Sequence, residues 1–436
     1  MSETDLTQYI GTNTAIRRYL LPDTAIVDEQ GRLSVGGCDL LDLAERYGTP
    51  LFVYDEQHLR NRCQEALAAF GDGVAYGAKA FLCKEMARLV DQEGLHLDVA
   101  TGGELYVALM AGVSPARMVL HGNNKSEEEL GTALHAGVGR IVVDSFAELD
   151  RLERIAGDVG GPPPRVLIRV TPGVEAHTHE YVMTGQVDSK FGFGLASGAA
   201  GEAARRAADS PHMVLVGFHA HIGSQVFLLH SFAKAVEVLA PFVNDHDLPE
   251  LCLGGGLGVP YVEGEEAPTI AEWARVLKDA CREAGINVAR LTAEPGRSIA
   301  AGAAVTLYRV GTIKEIPGVR TYVAVDGGMS DNPRPVLYGS GYEAFLPRAP
   351  LAERPRRVTV AGKHCESGDV VVRDAHLPED VAVGDILCTP VTGAYGHSMA
   401  SNYNKVTRPA VVFVRGGETR VVVRRETYED LIRLDE

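Results

Sequence analysis

No stretch of this sequence approaches the run of about 20 apolar residues that a membrane-crossing helix needs, so no bilayer-spanning segment is expected. Positive charge is in short supply: 42 Lys plus Arg stand against 58 Asp plus Glu, a formal charge of −16. Such a surface repels phosphates, which argues against non-specific nucleic-acid binding and against an anionic membrane as partner; a local basic pocket for a small anion remains compatible. The seven cysteines are odd in number, widely spaced and without a C-x-x-C pair. A disulfide framework or zinc site is therefore not expected, no metal is assigned, and the chain reads as reduced and cytoplasmic. The first twenty residues are polar, with no charged-then-apolar pattern, so no signal peptide is expected. Low-complexity tracts and helical repeats are also lacking.

The composition is that of a globular chain, 45% hydrophobic and 23% charged, which excludes a mainly disordered polymer. At 436 residues it is long for one domain and comfortable for two. From Val74 to Gly296 a short apolar, β-favouring run is followed repeatedly by a helix-like stretch rich in Ala, Leu, Glu and Arg. The runs are VAYGAKA, LHLDVAT, MVLHGN, RIVVDS, RVLIRV, VGFHAHIG, ELCLGGG and RLTAEPG. Eight alternations predict βαβ units and a parallel sheet, and the length matches a (β/α)8 TIM-like barrel better than an open doubly wound sheet. After Ala301 the segments become short, Val-rich and punctuated by Gly, Pro or Asp, which predicts an all-β sandwich or small barrel. AIVDEQGRLSVGG near the N-terminus has the same texture and is expected to pair with it. The predicted division is 49–300 for the α/β barrel, with 15–48 and 301–436 forming the C-terminal β-sandwich or barrel domain.

Polar and glycine-rich residues gather at the C-terminal ends of the runs, where α/β folds place their chemistry. Lys79, between Ala78 and Ala80, ends the first run. Desolvation there would lower its pKa and free its amine for imine formation; a snorkelling surface lysine is the bland alternative. His219 and His221 share a face of the sixth run, more simply as hydrogen-bonded core histidines than as metal ligands, because no third ligand stands nearby. Ser224 and the cluster Gly254-Gly255-Gly256-Leu257-Gly258 lie where backbone N–H groups can approach a phosphate, although the cluster matches no nucleotide-loop pattern. Glu294 ends run eight, expected beside run one and hence near Lys79. A carboxylate there either pairs with the lysine or keeps a heteroaromatic nitrogen protonated. The segment 175–192, with His177 and His179, reads as a lid rather than a metal site. Weighed alone, Cys365 reads as a buried thiol.

A lysine for an imine, a carboxylate for a ring nitrogen, a histidine for a ring face and Gly/Ser loops for a phosphate are the parts that hold pyridoxal 5'-phosphate. The chain resembles the alanine-racemase-like group (fold type III) of enzymes using that cofactor, and within it the diaminopimelate decarboxylases over nearly its whole length. The resemblance is carried by Tyr76 to Ala80, His219 to Gln225, Gly254 to Gly258 and Glu294 to Ser298. More discriminating are Asp326 to Pro335 followed by Tyr338, Gly362 to Asp369, and Gly393 to Gly396 followed by Ser398 to Asn404. Lys363-His364 stands where the family often has a Pro-Leu type pair.

That resemblance implies roles. Lys79 would carry the cofactor, His221 would stack on its ring and Glu294 would pair with its pyridine nitrogen. Ser224, Gly256, Gly296 and Tyr395 would contact it, chiefly at the phosphate, with Arg297 alongside. Arg297, Arg334, Tyr338 and Glu366, with Tyr395, would bind an amino-acid substrate, and Cys365 would be the proton donor. Cys365 and Glu366 would reach the site from a partner subunit, so a homodimer with active sites at its interface is expected. The implied reaction is decarboxylation of meso-2,6-diaminopimelate to L-lysine, the last step of lysine biosynthesis. Paired arginines suit a distal carboxylate and oppose the cationic substrates of ornithine or arginine decarboxylases; a carboxynorspermidine decarboxylase is harder to separate. From another class, an amino-acid racemase stays open through Tyr395. A non-catalytic relative would lack Lys79 or Cys365, and both are present.

Overall fold

The computed structural model describes residues 15–174 and 189–436. Residues 175–188, His177 and His179 among them, lie outside the described residues, and with them most of the segment read as a lid. The chain forms two compact units. One comprises Arg62–Val259 and Ala267–Ser298; the other takes the chain up to Asn61, Pro260–Glu266 and Ile299–Glu436.

The first unit is the parallel barrel. Its strands are β1 (Ala75–Gly77), β2 (His96–Val99), β3 (Met118–Leu120), β4 (Arg140–Val143), β5 (Arg165–Thr171), β6 (Val214–Ala220), β7 (Glu250–Cys252) and β8 (Arg290–Thr292), paired in sequence order. All eight runs read from the sequence are strands. The ends of the sheet meet: the Ala75 N–H donates to the Ala293 carbonyl at 3.0 Å and the Gly77 N–H to that of Pro295 at 3.2 Å. These strands are mostly buried, so their runs are rich in apolar residues without strict alternation, with charged residues such as Asp98, Arg169 and Glu250 among them. Val119, Val142, Leu167, Val216 and Cys252, one from each of β3 to β7, form a buried cluster.

After β2, β3 and β4 the helices start promptly because a short polar side chain stands at the join. Thr101 caps Gly102–Ala111, Ser126 caps Glu127–Ala136 and Ser145 caps Phe146–Val159, each accepting a backbone N–H three residues on. Ser126 and Glu129 complete a reciprocal capping box. Left-handed Gly112 and Gly137 then stop the first two helices. These three connections are therefore short, whereas the helices after β6 and β7 begin only at Leu229 and Ile270.

The second unit is a mixed, largely antiparallel sheet of eight strands. The 13-residue strand Ala304–Ile316 pairs with Leu51–Asp55, Ile386–Pro390 and Arg320–Val325. Arg320–Val325 continues through Arg356–Ala361 to Val370–Leu377. The front boundary differs from the sequence expectation of 49. Leu51–Asp55 is completely buried and paired on both sides, with Ala304–Leu307 and with Ala410–Val414, so it belongs to the β unit. Apolar up to its last residue, Asp55, it looks like the parallel strands that follow. The segment from Ile26 to Asp39 forms a small three-stranded sheet of its own. It meets the rest of its unit through the Gly417 N–H, which donates to the Gly36 carbonyl at 2.7 Å.

Candidate active site

The C-terminal ends of the barrel strands converge on Glu294. Its carboxylate lies two residues past β8 and is buried. Oε1 accepts from His121 Nε2 at 2.8 Å and Oε2 from His219 Nε2 at 2.9 Å. His219 lies on β6 and His121 directly follows β3. Burial penalises each charge here, but the combination wins. Desolvation raises Glu294, and the charges and hydrogen bonds of the two histidines more than reverse this, holding the carboxyl well below its usual range. Burial pulls His121 down, yet Asp98 and Glu294 outweigh it and raise the imidazole. For His219 burial prevails over Glu294 and lowers it. Of the two histidines, the surroundings favour the charged form of His121 and disfavour that of His219. Asp98, 3.6 Å from His121, is lifted by burial to about 7.

Two histidines and a carboxylate so close together resemble a metal-ligand set. Both separations are hydrogen-bond lengths, however, and the oxygens already receive N–H donors. The strands that carry Glu294 and Lys79 meet as expected, and Asp98 and His221 feel the charge of both, while the hydrogen bonds of the carboxylate go to the histidines. Lys79 stands in the short 3-10 turn Ala78–Ala80 after β1, exposed between two buried alanines. The burial expected of it is not found. Its charge is felt by Asp98, Glu104 and His221.

His221 is placed by the glycine cluster: its Nδ1 accepts the Gly255 N–H at 3.2 Å. Burial, then the charge of Lys79, pushes it well below its ordinary value, so its ring is neutral. Gly256 is left-handed at φ +111°, and a Cβ there would lie 2.2 Å from the Gly223 carbonyl oxygen. Only glycine brings those two loops together. Arg297 is buried and donates from Nη2 to Ser224 Oγ at 2.9 Å, tying the loop after β8 to the loop after β6. Gly296 lies against Gly77 at the β8–β1 seam.

The remaining candidates lie in the β unit. Arg334 is buried at the start of the short helix Arg334–Tyr338, donating to Tyr261 Oη at 2.6 Å and to Ser340 Oγ at 3.0 Å. Tyr395, whose ring centroid is 5.9 Å from the Arg334 guanidinium, holds a left-handed backbone at φ +61°, a strained state for an aromatic residue. Tyr338 is half-buried at the helix end. Glu366 accepts a hydrogen bond from Tyr403 Oη. Cys365 corrects the default reading of a core thiol: it alone of the cysteines is exposed, whereas five are buried and Cys83 is half-buried.

Sequence reasoning missed His121, Asp98 and Tyr261. The first two close runs three and two, and the strand-end argument that singled out His221 applies equally to them. Tyr261 had no such signal: it is one of the 15 tyrosines of the chain and lies in a loop.

The family described as "Pyridoxal-dependent decarboxylase, pyridoxal binding domain" matches residues 56–301. The barrel and its strand-end site thus define a pyridoxal-phosphate-dependent decarboxylase. The diaminopimelate decarboxylase of Mycobacterium tuberculosis is 47% identical over 434 residues, covering 95% of this chain and 97% of its own. That of Bacillus subtilis is 46% identical over 430 residues, with 95% and 98% covered. Among solved structures, the M. jannaschii diaminopimelate decarboxylase aligns with a TM-score of 0.88 at 33% identity, covering 95% of this chain and 98% of that one. The Helicobacter pylori enzyme complexed with L-lysine aligns at 0.83 and 32%, covering 91% and 98%. The chain belongs to the diaminopimelate decarboxylase family.

The residues present fit the cofactor. The Gly223–Gly256 approach makes a cradle with no side chain in it, and a reachable amine ends β1. An ionised carboxylate is held in a buried place, and Ser298 Oγ is buried without a partner among the described residues.

Proposed function

We propose that the strand ends of the barrel hold pyridoxal 5'-phosphate, with Lys79 as the amine that takes its aldehyde. The reaction is the decarboxylation of meso-2,6-diaminopimelate to L-lysine and CO2. When bound, the cofactor supplies an electron sink for the pair left behind by the departing carboxyl group. The observation that carries the reading is the Glu294 carboxylate, buried with its two oxygens accepting from His121 and His219. An anion in that position stabilises a protonated ring nitrogen, and burial makes the interaction strong. His221, fixed by the Gly255 N–H, packs on the ring face. Ser224, Gly256, Gly296 and Tyr395 bind the phosphate end, with Arg297 beside them.

Arg297 and Arg334 receive the substrate's distal carboxylate, Tyr338 and Tyr395 border it, and Glu366 accepts from the distal ammonium. Tyr261 and Ser340 fix the Arg334 guanidinium, so little side-chain freedom remains to be lost on binding. Cys365 delivers a proton to the carbon that has lost CO2; its exposure suits a donor that meets substrate outside its own fold. Cys365 and Glu366 serve the site of a partner subunit, making a cytoplasmic homodimer the working form. The M. jannaschii and H. pylori enzymes were each crystallised with L-lysine, which agrees with this product.

The test is a panel of meso-diaminopimelate, ornithine, arginine and carboxynorspermidine, followed by CO2 release and amino-acid analysis. Equal yields of CO2 and L-lysine from the first substrate alone are expected. Faster release from ornithine would overturn the substrate assignment, and scrambled stereochemistry without CO2 would overturn the reaction. Cys365→Ala is expected to keep the cofactor and lose about 10²-fold in turnover; unchanged turnover removes Cys365 from the role of acid.

A further inference from the structure

Cys365 and Glu366 lie on the loop that joins the antiparallel strands Arg356–Ala361 and Val370–Leu377. Lys363, Cys365, Glu366, Ser367 and Gly368 are all exposed. An unsupported hairpin end of this kind is mobile, yet a general acid must be held within about 0.5 Å of its productive place. Two residues of the loop are buried, His364 at 8% and Asp369 at 3% exposure, and they bracket Cys365–Gly368.

Each makes specific bonds. Asp369 Oδ2 accepts the His364 N–H at 2.8 Å, and Oδ1 accepts the Met329 N–H at 2.7 Å. One carboxylate thus joins the acid loop to the segment that leads into Arg334. The join is close: a Cβ on Gly362 would lie 2.1 Å from Asp369 Oδ2, so the loop wraps the carboxylate too tightly for a side chain there. The His364 ring uses both nitrogens, Nε2 with Ser330 Oγ at 2.9 Å and Nδ1 with Asn404 Oδ1 at 3.1 Å. Its ring centroid is 5.5 Å from that of Tyr403, whose hydroxyl donates to Glu366. The Ser401 N–H in turn donates to the Ser330 carbonyl at 2.9 Å. The segments 326–335, 362–369 and 398–404 are therefore fastened together at His364 and Asp369.

We propose that His364 and Asp369 are positioning residues that lock the Cys365–Glu366 loop in its own subunit before it meets substrate. This rests on the reading of Cys365 as the acid, but the lock itself does not, so the two are tested separately.

The experiment is hydrogen–deuterium exchange with kinetics on the holoenzyme and its Asp369→Asn and His364→Leu variants. Asn presents an N–H2 to one of two backbone N–H donors and leaves it unpaired. In Asp369→Asn, exchange is expected to rise about tenfold or more in both 327–331 and 362–368, as for loss of a charged hydrogen-bond acceptor. Barrel peptides should not change, kcat should fall about tenfold, and cofactor affinity should hold within about twofold. His364→Leu, which keeps the ring's bulk without its bonds, is the fallback where Asp369→Asn does not fold. It should loosen 362–368 and lower kcat to a smaller degree. Unaltered exchange in the acid loop of His364→Leu, or loosening of only one segment in Asp369→Asn, overturns the lock. Loosened loops with full turnover overturn its part in catalysis. Full turnover in Cys365→Ala would sink the acid assignment while leaving the exchange result intact.

Discussion

His121 shows how a single side chain sets the electrostatics of the site. Its Nε2 pairs with one oxygen of Glu294, and its charge and hydrogen bond are the largest pull lowering that carboxyl inside the barrel. Removing it leaves Glu294 with the His219 donor alone. His121→Gln is therefore expected to weaken cofactor binding about tenfold or more, the size of one charge-assisted hydrogen bond, in an absorbance titration of apoenzyme. An unchanged dissociation constant would mean that Glu294 does not need its partner. Lys79→Ala should lose the visible absorbance of the bound cofactor together with turnover; a fully active variant refutes the assignment of that amine. At this scale the sequence disclosed chemical types and strand-end positions: Lys79, His219, His221 and Glu294 were found on that basis alone. It did not disclose which atom faces which. Neighbouring strands placed Glu294 near Lys79, but nothing local announced that its oxygens would accept from two histidines 75 and 173 residues away in sequence.

Elements were easier to read than contacts. The eight strands show in the sequence because parallel strands covered on both faces are rich in apolar residues, whereas the caps at Thr101, Ser126 and Ser145 were not read from it although they rest on local hydrogen bonding. Leu51–Asp55 marks where this fails. Its composition matches a barrel strand, and only its pairing with Ala304–Leu307 and Ala410–Val414 assigns it to the β unit. The loop after β7 supplies a prediction at this scale. Gly256→Ala places a methyl 2.2 Å from the Gly223 carbonyl oxygen on a left-handed backbone. The two loops must separate, so cofactor affinity should drop by about an order of magnitude or more while the barrel's far-UV circular dichroism is kept. Parent-like affinity would show that this approach is not part of the cradle.

For the molecule as a whole, the buried titratable groups pull its acid stability in opposite directions. Burial lowers His96 in the barrel unit and His397 in the β unit, each to about 4 from 6.5. Both stay neutral in the fold and take up a proton on unfolding below 6.5, so their contribution is present above 6.5 and is lost as pH falls toward 4. Burial raises Asp331 to about 7 from 3.8. That group holds its proton in the fold and releases it on unfolding, so its contribution is present below 3.8 and is lost as pH rises toward 7. Between pH 4.5 and 6, His96→Gln should therefore make the slope of stability against pH more negative, by up to about 1.4 kcal/mol per pH unit. Asp331→Asn should make it more positive by a similar amount. Urea-unfolding midpoints across that range supply the measurement, and profiles parallel to the parent's would contradict both shifts.

The sequence by itself determined the barrel's strands, the β-rich remainder, the cofactor-binding chemistry and the residue types of the site. Those depend on local patterning: apolar runs, turn glycines and polar residues at strand ends. Tertiary structure alone decided the grip of His121 and His219 on Glu294, the exposure of Lys79 and Cys365, the allegiance of Leu51–Asp55 and the lock formed by His364 and Asp369. Each of these depends on atoms brought within hydrogen-bond reach by the closure of a sheet or the end of a hairpin, a condition no local pattern records.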